Sequence, residues 1–329
     1  MTKLAVVAVG GNSLIKDEKH KTIPDQYAAT VETAAHLAEM IAQGWQVVLT
    51  HGNGPQVGFI LRRSELSLGE LHPVPLDYCG ADTQGAIGYM FQRALRNEFK
   101  KRGIAKQAAT IVTQMRVDQN DPAFQNPSKP IGSFMNQAIA LEHQAKDGWA
   151  IVEDAGRGWR RVVPSPLPQE IVERDAINAL IAQNFLVICS GGGGIPVIEQ
   201  DGELVGVEAV IDKDYAASLV ARSLGADLFL ISTGVERVAL NFQQHAALEE
   251  SMVLSRNAAQ RKDLQWLDRM TVGDAKKYLG EGQFPKGSMG PKIQACIWFV
   301  EATGKDALIT NPENLSRALR GETGTRIVK

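Results

Sequence analysis

A chain of 329 residues, 44% hydrophobic and 22% charged, can bury a sizeable core and is neither disordered nor fibrous in composition. Its formal net charge of -2 gives no electrostatic footprint for nucleic acid or for an anionic membrane surface. No apolar run approaches the roughly 20 residues that span a bilayer, and MTKLAVVAVGG enters a strand too soon for a signal peptide, so the cytoplasm is the expected compartment.

Leu4 to Val9 is a continuous apolar run, the mark of a strand covered on both faces. Pro24 and Asp25 open a helix on which Tyr27, Val31, Ala34, Ala38 and Ile41 recur at helical spacing, and Gly44 closes it. Gln46 to Thr50 is the next strand, and the right-handed crossover rule makes it parallel to the first. A helix from about Asp82 to Arg102, with Ile87, Phe91, Ala94 and Phe99 on one side, leads to the strand AATIVT at 108–113. Between Met115 and Val163 the sequence turns polar and rich in Gly, Pro and Asn, with one helix in its middle, and reads as an excursion from the sheet. The alternation then resumes. A helix Gln169 to Gln183 leads to FLVICS at 185–190, PVIEQDGELVGV forms a hairpin around Asp201-Gly202, and a helix Lys213 to Leu224 leads to DLFLIS at 227–232. Residues 241–270 include a charged, moderately amphipathic helical piece. Pro291 starts the last helix at its first position, DALIT follows, and TGTRIV closes the chain. Strands alternating with helices in this manner define a doubly wound α/β sheet.

Cys79, Cys189 and Cys296 are odd in number and set among apolar or small residues, which favours buried free thiols over a disulfide or a metal. The chain contains no H-E-x-x-H, C-x-x-C or G-x-S-x-G, so no metal-ligating set emerges. Three strands instead run into glycine-rich turns: AVVAVGGNS, VVLTHGNGP and LVICSGGGGIP. The second is not a dinucleotide loop, because the third glycine of G-x-G-x-x-G would fall on Val57. Nor is there a triphosphate loop, since Gly304-Lys305 is followed by Asp306.

In an open α/β sheet such turns share the crevice at the carboxyl ends of the strands, where bare backbone N–H groups and helix N-termini receive an anion. Lys129 in NPSKPIG, Lys213 in VIDKD and Lys292 in GSMGPK each sit among Gly, Pro or Asp rather than on a solvated helix face. Compact positive charge beside an anion site is what phosphoryl transfer requires. Asp212 and Asp214 flank Lys213, where carboxylates orient lysines, help hold Mg2+ or cap the helix. Asn12 and Asn53 offer neutral hydrogen bonds, and His51 reads as packed and neutral or as a supporting partner.

Together VVAVGGNSLI, VVLTHGNGPQVG, GAIGYM, NPSKPIG, VEDAGRGWRRVVPSP, ICSGGGGIPV, VIDKDYAA, GSMGPK and GTRI resemble the carbamate kinases of the amino acid kinase superfamily, in that family's order from Val6 to near the C-terminus. The resemblance implies an αβα sandwich with a mainly parallel central sheet and a protruding lid. It implies reversible, Mg2+-dependent phosphoryl transfer between ATP and carbamate, giving ADP and carbamoyl phosphate, often run toward ATP synthesis by a homodimer. Residues 1–225 are expected to bind the acceptor, with the lid at about 115–163, and residues 226–329 the nucleotide. Carbamate is expected on Gly10, Gly11, Asn12, Gly52 and Asn53. The nucleotide is expected on Lys213, Ser232, Thr233, Val235, Gly287, Ser288, Met289, Gly290 and Lys292. The expected catalytic residues are Lys213 on the transferring phosphoryl group, Lys292 on the departing ADP oxygens, Lys129 over the acceptor and Asp214 orienting the lysines.

One departure from the family pattern is an insertion at about 243–263, around His245 to Lys262, beside the expected adenine edge. Two other readings fit the residues. One is a kinase of the same fold acting on another small carboxylate or a carbamoylated amine, for which Arg157, Arg160 and Arg161 are the available charge partners. The other is a non-catalytic nucleotide-sensing protein, against which the joint presence of the three lysines and Asp214 weighs.

Overall fold

The apolar runs assemble into one eight-stranded sheet. Its order from edge to edge is Arg269–Thr271, Thr325–Val328, Ala307–Thr310, Leu228–Ser232, Lys3–Val9, Trp45–His51, Leu186–Ile188 and Ala108–Thr110. The computed structural model describes residues 2–11, 14, 15, 17, 19–154, 158–241, 264–285 and 287–329. The insertion expected at about 243–263 therefore lies outside the described residues, as does most of the helical piece expected within 241–270.

Lys3–Val9 lies between two parallel neighbours, with Val9 opposite both His51 and Ser232, so the parallel pairing expected of the first two strands holds. Thr325–Val328 runs antiparallel to Ala307–Thr310, which makes the sheet mixed at one edge and parallel elsewhere up to it. Successive residues of a strand serve opposite faces. Val6, Ala8, Phe229 and Ile231 pack in one layer with the helices Lys213–Ser223 and Met289–Thr303, while Ala5, Val7, Val9 and Leu230 pack in the other with Ile23–Ala42 and Leu76–Arg102. Each fully buried aliphatic side chain contributes about 1.5–3 kcal/mol, which is why these strands are apolar on both sides instead of alternating. Ile23–Ala42 starts at a capping box in which Thr22 and Asp25 satisfy each other's backbone donors.

On the first face the helices Lys213–Ser223 and Met289–Thr303 lie against each other, joined by a buried bond in which Ser218 Oγ donates to Ala295 O at 2.8 Å. Fixing that pair fixes the spacing of the two lysines at their N-terminal ends. The polar excursion builds a three-stranded sheet, Lys129–Met135, Trp159–Val163 and Ala150–Glu153, with the helix Gln137–Asp147 in its connection. A second small sheet takes the hairpin Ile195–Gln200 and Glu203–Gly206, turning on Asp201-Gly202 as predicted. No helix among the described residues is long and apolar enough to cross a membrane.

Several boundaries differ from the sequence reading. The predicted helix Gln169 to Gln183 is a strand, Pro168–Ile171, followed by a helix, Arg174–Ala182. The strand is drawn out by pairing with Gln114–Val117, and Glu173 secures the junction by accepting from Gln114 N at 2.7 Å and Gln114 Nε2 at 2.8 Å. The helix expected from about Asp82 begins earlier, at Leu76, because Leu76 and Cys79 have their own apolar cluster with Val57, Ile131 and Val163. The strand at 108–113 stops at Thr110. The last long helix begins at Met289, which places Pro291 third in it and not first; its missing N–H is still one of the donors without an intrahelical partner.

Phe299 has no exposed surface and meets Phe229 across the first face with ring centroids 5.6 Å apart. Phe299→Ala is expected to destabilise the fold by about 3–5 kcal/mol in urea unfolding with an unchanged slope. A loss below about 1 kcal/mol would mean that this layer is not packed as described.

Candidate active site

The three glycine-rich turns follow adjacent strands of the sheet and so open on one edge. Gly10 N donates to Ser232 O at 3.1 Å and Gly52 N to Val9 O at 3.1 Å, which locks the first two turns to their neighbours. Asn12 lies outside the described residues. The stem of Lys213 lies on the backbone of Gly52: a Cβ there would sit 3.2 Å from Lys213 Cδ and 3.5 Å from Cε and would push the stem aside by a few tenths of an ångström. In the third turn Gly192 has φ +70° and its Cα is pressed against the side-chain amide of Asn53, so a side chain at 192 is excluded by both backbone and space. Asn53 itself is buried, donates from Nδ2 to Thr83 Oγ1 at 2.8 Å and stands at the N-terminus of the helix Gly54–Ser67.

The lysines expected from sequence converge through two aspartates. Lys213 Nζ lies 2.7 Å from Asp214 Oδ1 and Lys292 Nζ 3.1 Å from Asp214 Oδ2, while Lys129 Nζ lies 2.8 Å from Asp212 Oδ2. Asp212 also caps its helix, its Oδ1 accepting from Asp214 N at 2.9 Å, so capping and lysine orientation are the same structure. Asp214 is 3% exposed. Burial alone would raise its carboxyl, but the ammonium groups of Lys213 and Lys292 outweigh that and hold it at about 2. It is therefore charged at neutral pH.

Two cavities flank this row. The smaller, about 120 Å³, is lined by Asn53, Gly54, Gly192, Lys129 and Arg160 among apolar walls that include Val57, Leu76 and Ile131. The larger, about 290 Å³, is lined by Thr233, Val235, Ser288, Met289 and Lys292 from the expected nucleotide set. Lys213 reaches neither lining, but its stem lies on Gly52 of the second glycine-rich turn and its charge shares Asp214 with Lys292, so it joins the two. Gly10, Gly11 and Gly52 do not line the smaller cavity, and Gly287, Gly290 and Ser232 do not line the larger. Ser232 is 1% exposed and takes part through its carbonyl, which holds Gly10.

Sequence reasoning missed several contributors. Trp266 and Phe284 line the larger cavity; Trp266 has no motif near it, and Phe284 lies three residues before GSMGPK, outside the motif itself. Gln84 is 1% exposed and ties the third turn down, donating from Nε2 to Thr113 O at 3.2 Å and Gly191 O at 3.1 Å. A signal existed: Thr83 and Gln84 lie one helical turn before Ile87 on the buried face, where apolar residues are expected. Arg160 enters the smaller cavity with its guanidinium 5.1 Å from the Phe134 ring centroid, Nη2 donating to Gly132 O at 3.2 Å and a buried Nε that has no partner. Arg160 Nη1 also lies 3.4 Å from Asp154 Oδ2, Arg161 pairs with Glu208, and Arg157 lies outside the described residues. Among the described residues no group of three or more His, Cys, Asp or Glu is arranged to hold a metal ion.

A sheet of this topology with bare-backbone turns and clustered lysines at one edge defines a phosphoryl-transfer class, and the comparisons agree. Residues 3–246 match the amino acid kinase family. The chain is 49% identical to a carbamate kinase-like protein of Escherichia coli over 100% of both chains. It is 46% identical to a carbamate kinase of Thermococcus kodakarensis over 99% of both. The carbamate kinase from Giardia lamblia bound to AMP-PNP superposes with a TM-score of 0.89 at 39% identity, over 99% of this chain and 98% of that one. The chain belongs to the amino acid kinase family and, within it, to the carbamate kinases.

His51 lies beneath these turns, 2% exposed, with Nδ1 at 3.1 Å from Gly52 O and the ring against Gly191. A carbonyl only accepts, so the neutral ring carries its proton on Nδ1. Burial pushes His51 down to about 4, well below its ordinary value near 6.5. The unfolded chain then binds a proton that the folded chain refuses, so the stabilisation is full above pH 6.5 and is lost as pH falls from there through 4. Between those limits His51→Gln is expected to flatten the fall in unfolding free energy by about 1 kcal/mol per pH unit. An unchanged slope in chemical unfolding at pH 6.5, 5.5 and 4.5 would rule this out.

Proposed function

We propose that the chain catalyses reversible transfer of a phosphoryl group between ATP and carbamate, giving ADP and carbamoyl phosphate. One observation carries the reading: three lysines from distant parts of the chain are held by Asp212 and Asp214 between a small cavity and a larger one. Full-length identity of 46% to carbamate kinases and the AMP-PNP named for the Giardia lamblia structure support the choice of acceptor and of nucleotide.

In this reading the smaller cavity holds carbamate and the larger one the adenine nucleotide, with Trp266 and Phe284 beside the base. A carboxylate oxygen of carbamate attacks the terminal phosphorus. A new O–P bond forms, the bond from that phosphorus to the bridging oxygen breaks, and its electron pair stays on ADP. No proton moves, because the acceptor is already an anion, so no general base is required; His51, neutral and committed to Gly52 O, is not one. Lys213 neutralises the group in flight, Lys292 the oxygens left on ADP, and Lys129 the acceptor side. Asp214 keeps two ammonium groups together that would otherwise repel. The apolar walls of the smaller cavity exclude water, which strengthens these charges and protects carbamoyl phosphate.

Both carboxylates nearest the transfer are occupied by lysines or by a backbone N–H. Mg2+, which takes oxygen ligands, therefore enters on the phosphates of the nucleotide as part of the substrate. The same reading makes the enzyme a cytoplasmic homodimer, with residues 1–225 binding the acceptor and residues 226–329 the nucleotide. The strand Lys129–Met135 presents Lys129 from the lid of about 115–163.

Purified protein is expected to form ATP from ADP, Mg2+ and carbamoyl phosphate. Lys213→Ala is expected to lower kcat by about a hundredfold to a thousandfold while ADP binding changes far less, as when one aimed donor is removed from an oxyanion site. Turnover of Lys213→Ala near that of the parent enzyme, in a coupled assay of ATP formation, would overturn the assignment.

A further inference from the structure

We infer that Thr83 sets the acceptor specificity, by fixing the side-chain amide of Asn53 so that it presents a carbonyl oxygen to the smaller cavity and reads the amino group of a carbamoyl substrate. The inference rests on the proposal that the acceptor occupies that cavity.

The argument follows hydrogen-bond direction. Thr83 Oγ1 lies 2.8 Å from Gly80 O and 2.8 Å from the Asn53 amide. A backbone carbonyl can only accept, so the single hydroxyl hydrogen of Thr83 is committed to Gly80. What remains toward Asn53 is a lone pair, and only the amino end of the amide can meet a lone pair. Turning the amide over would set two acceptors against each other at positions 8% and 1% exposed, with little solvent to relieve them. Gly192, pressed on the same amide, removes the room to swing aside.

With one Nδ2 hydrogen spent on Thr83, Asn53 keeps its Oδ1 and a second N–H, and no described residue bonds to either. That pair is the complement of a carbamoyl group's edge, where an amino group and a carbonyl oxygen stand side by side. An acetyl group has the same shape but a methyl in place of the amino group. In a cavity walled by Val57, Leu76 and Ile131 it would leave Asn53 Oδ1 desolvated and unpaired. Lys129 and Arg160 answer the acceptor's negative charge, which carbamate and acetate share, so they do not discriminate.

The test is ATP formation from carbamoyl phosphate and from acetyl phosphate by the parent enzyme, Thr83→Val, Thr83→Ser and Asn53→Ala. Valine keeps the shape of threonine and removes the relay; Thr83→Ala replaces it should the valine variant fail to fold. The preference for carbamoyl phosphate, as a ratio of kcat/KM values, is expected to fall about tenfold or more in Thr83→Val, through KM for carbamoyl phosphate with KM for ADP unchanged. Thr83→Ser is expected to retain the parent ratio. An unchanged ratio in Thr83→Val, or an equal loss on both substrates, would give Thr83 only a packing role and overturn the inference. If Asn53→Ala leaves the carbamoyl phosphate rate intact, it is the location of the acceptor site that fails, not the relay alone.

Discussion

A buried carboxylate shared by two ammonium groups is the interaction on which the rest of this site depends. Asp214 brings Lys213 and Lys292 within 2.7 Å and 3.1 Å of its two oxygens, on the N-terminal ends of two helices that are themselves bonded through Ser218 and Ala295. Two positive charges so close would repel in a medium of low dielectric. Asp214 cancels that repulsion within the folded chain, and a phosphoryl group carrying more negative charge can then draw on both lysines at once. Removing one partner of such a buried pair costs about 3–5 kcal/mol, because it leaves an uncompensated charge behind.

The glycine-rich turns answer the same constraint from the other side. Lys213 reaches Asp214 with its stem lying on the backbone of Gly52, and the amide of Asn53 fits only because Gly192 has no side chain. Bare backbone thus does two jobs here, letting a lysine stem approach and letting the Asn53 amide be wedged in one orientation. His51 and Gln84 support the turns from below, one neutral and one fully bonded, so that no stray charge competes with the lysines.

Much of this was legible in the residues. The central strands announce themselves as unbroken apolar runs because each is covered on both faces. Lys129, Lys213 and Lys292 stood out because glycine, proline and aspartate around them are poor company for a solvated helix. What sequence could not show were contacts set by tertiary pairing. The stretch after Pro168 reads as helix until Gln114–Val117 draws it into a sheet, and the wall of the larger cavity combines Trp266 with Phe284 through no shared motif. The position of Thr83 on a buried helix face signals a polar contact, but its partner Asn53 is set by the tertiary fold.

The most direct test of the shared carboxylate is the steady-state rate of ATP formation by Asp214→Asn, measured with carbamoyl phosphate and MgADP beside its nucleotide dissociation constant. The account expects kcat to fall by about a hundredfold or more in a folded protein that still binds ADP, because the lysines remain but are no longer aimed. A kcat within about twofold of the parent enzyme would contradict it, since the lysines would then need no common anchor to carry the transfer.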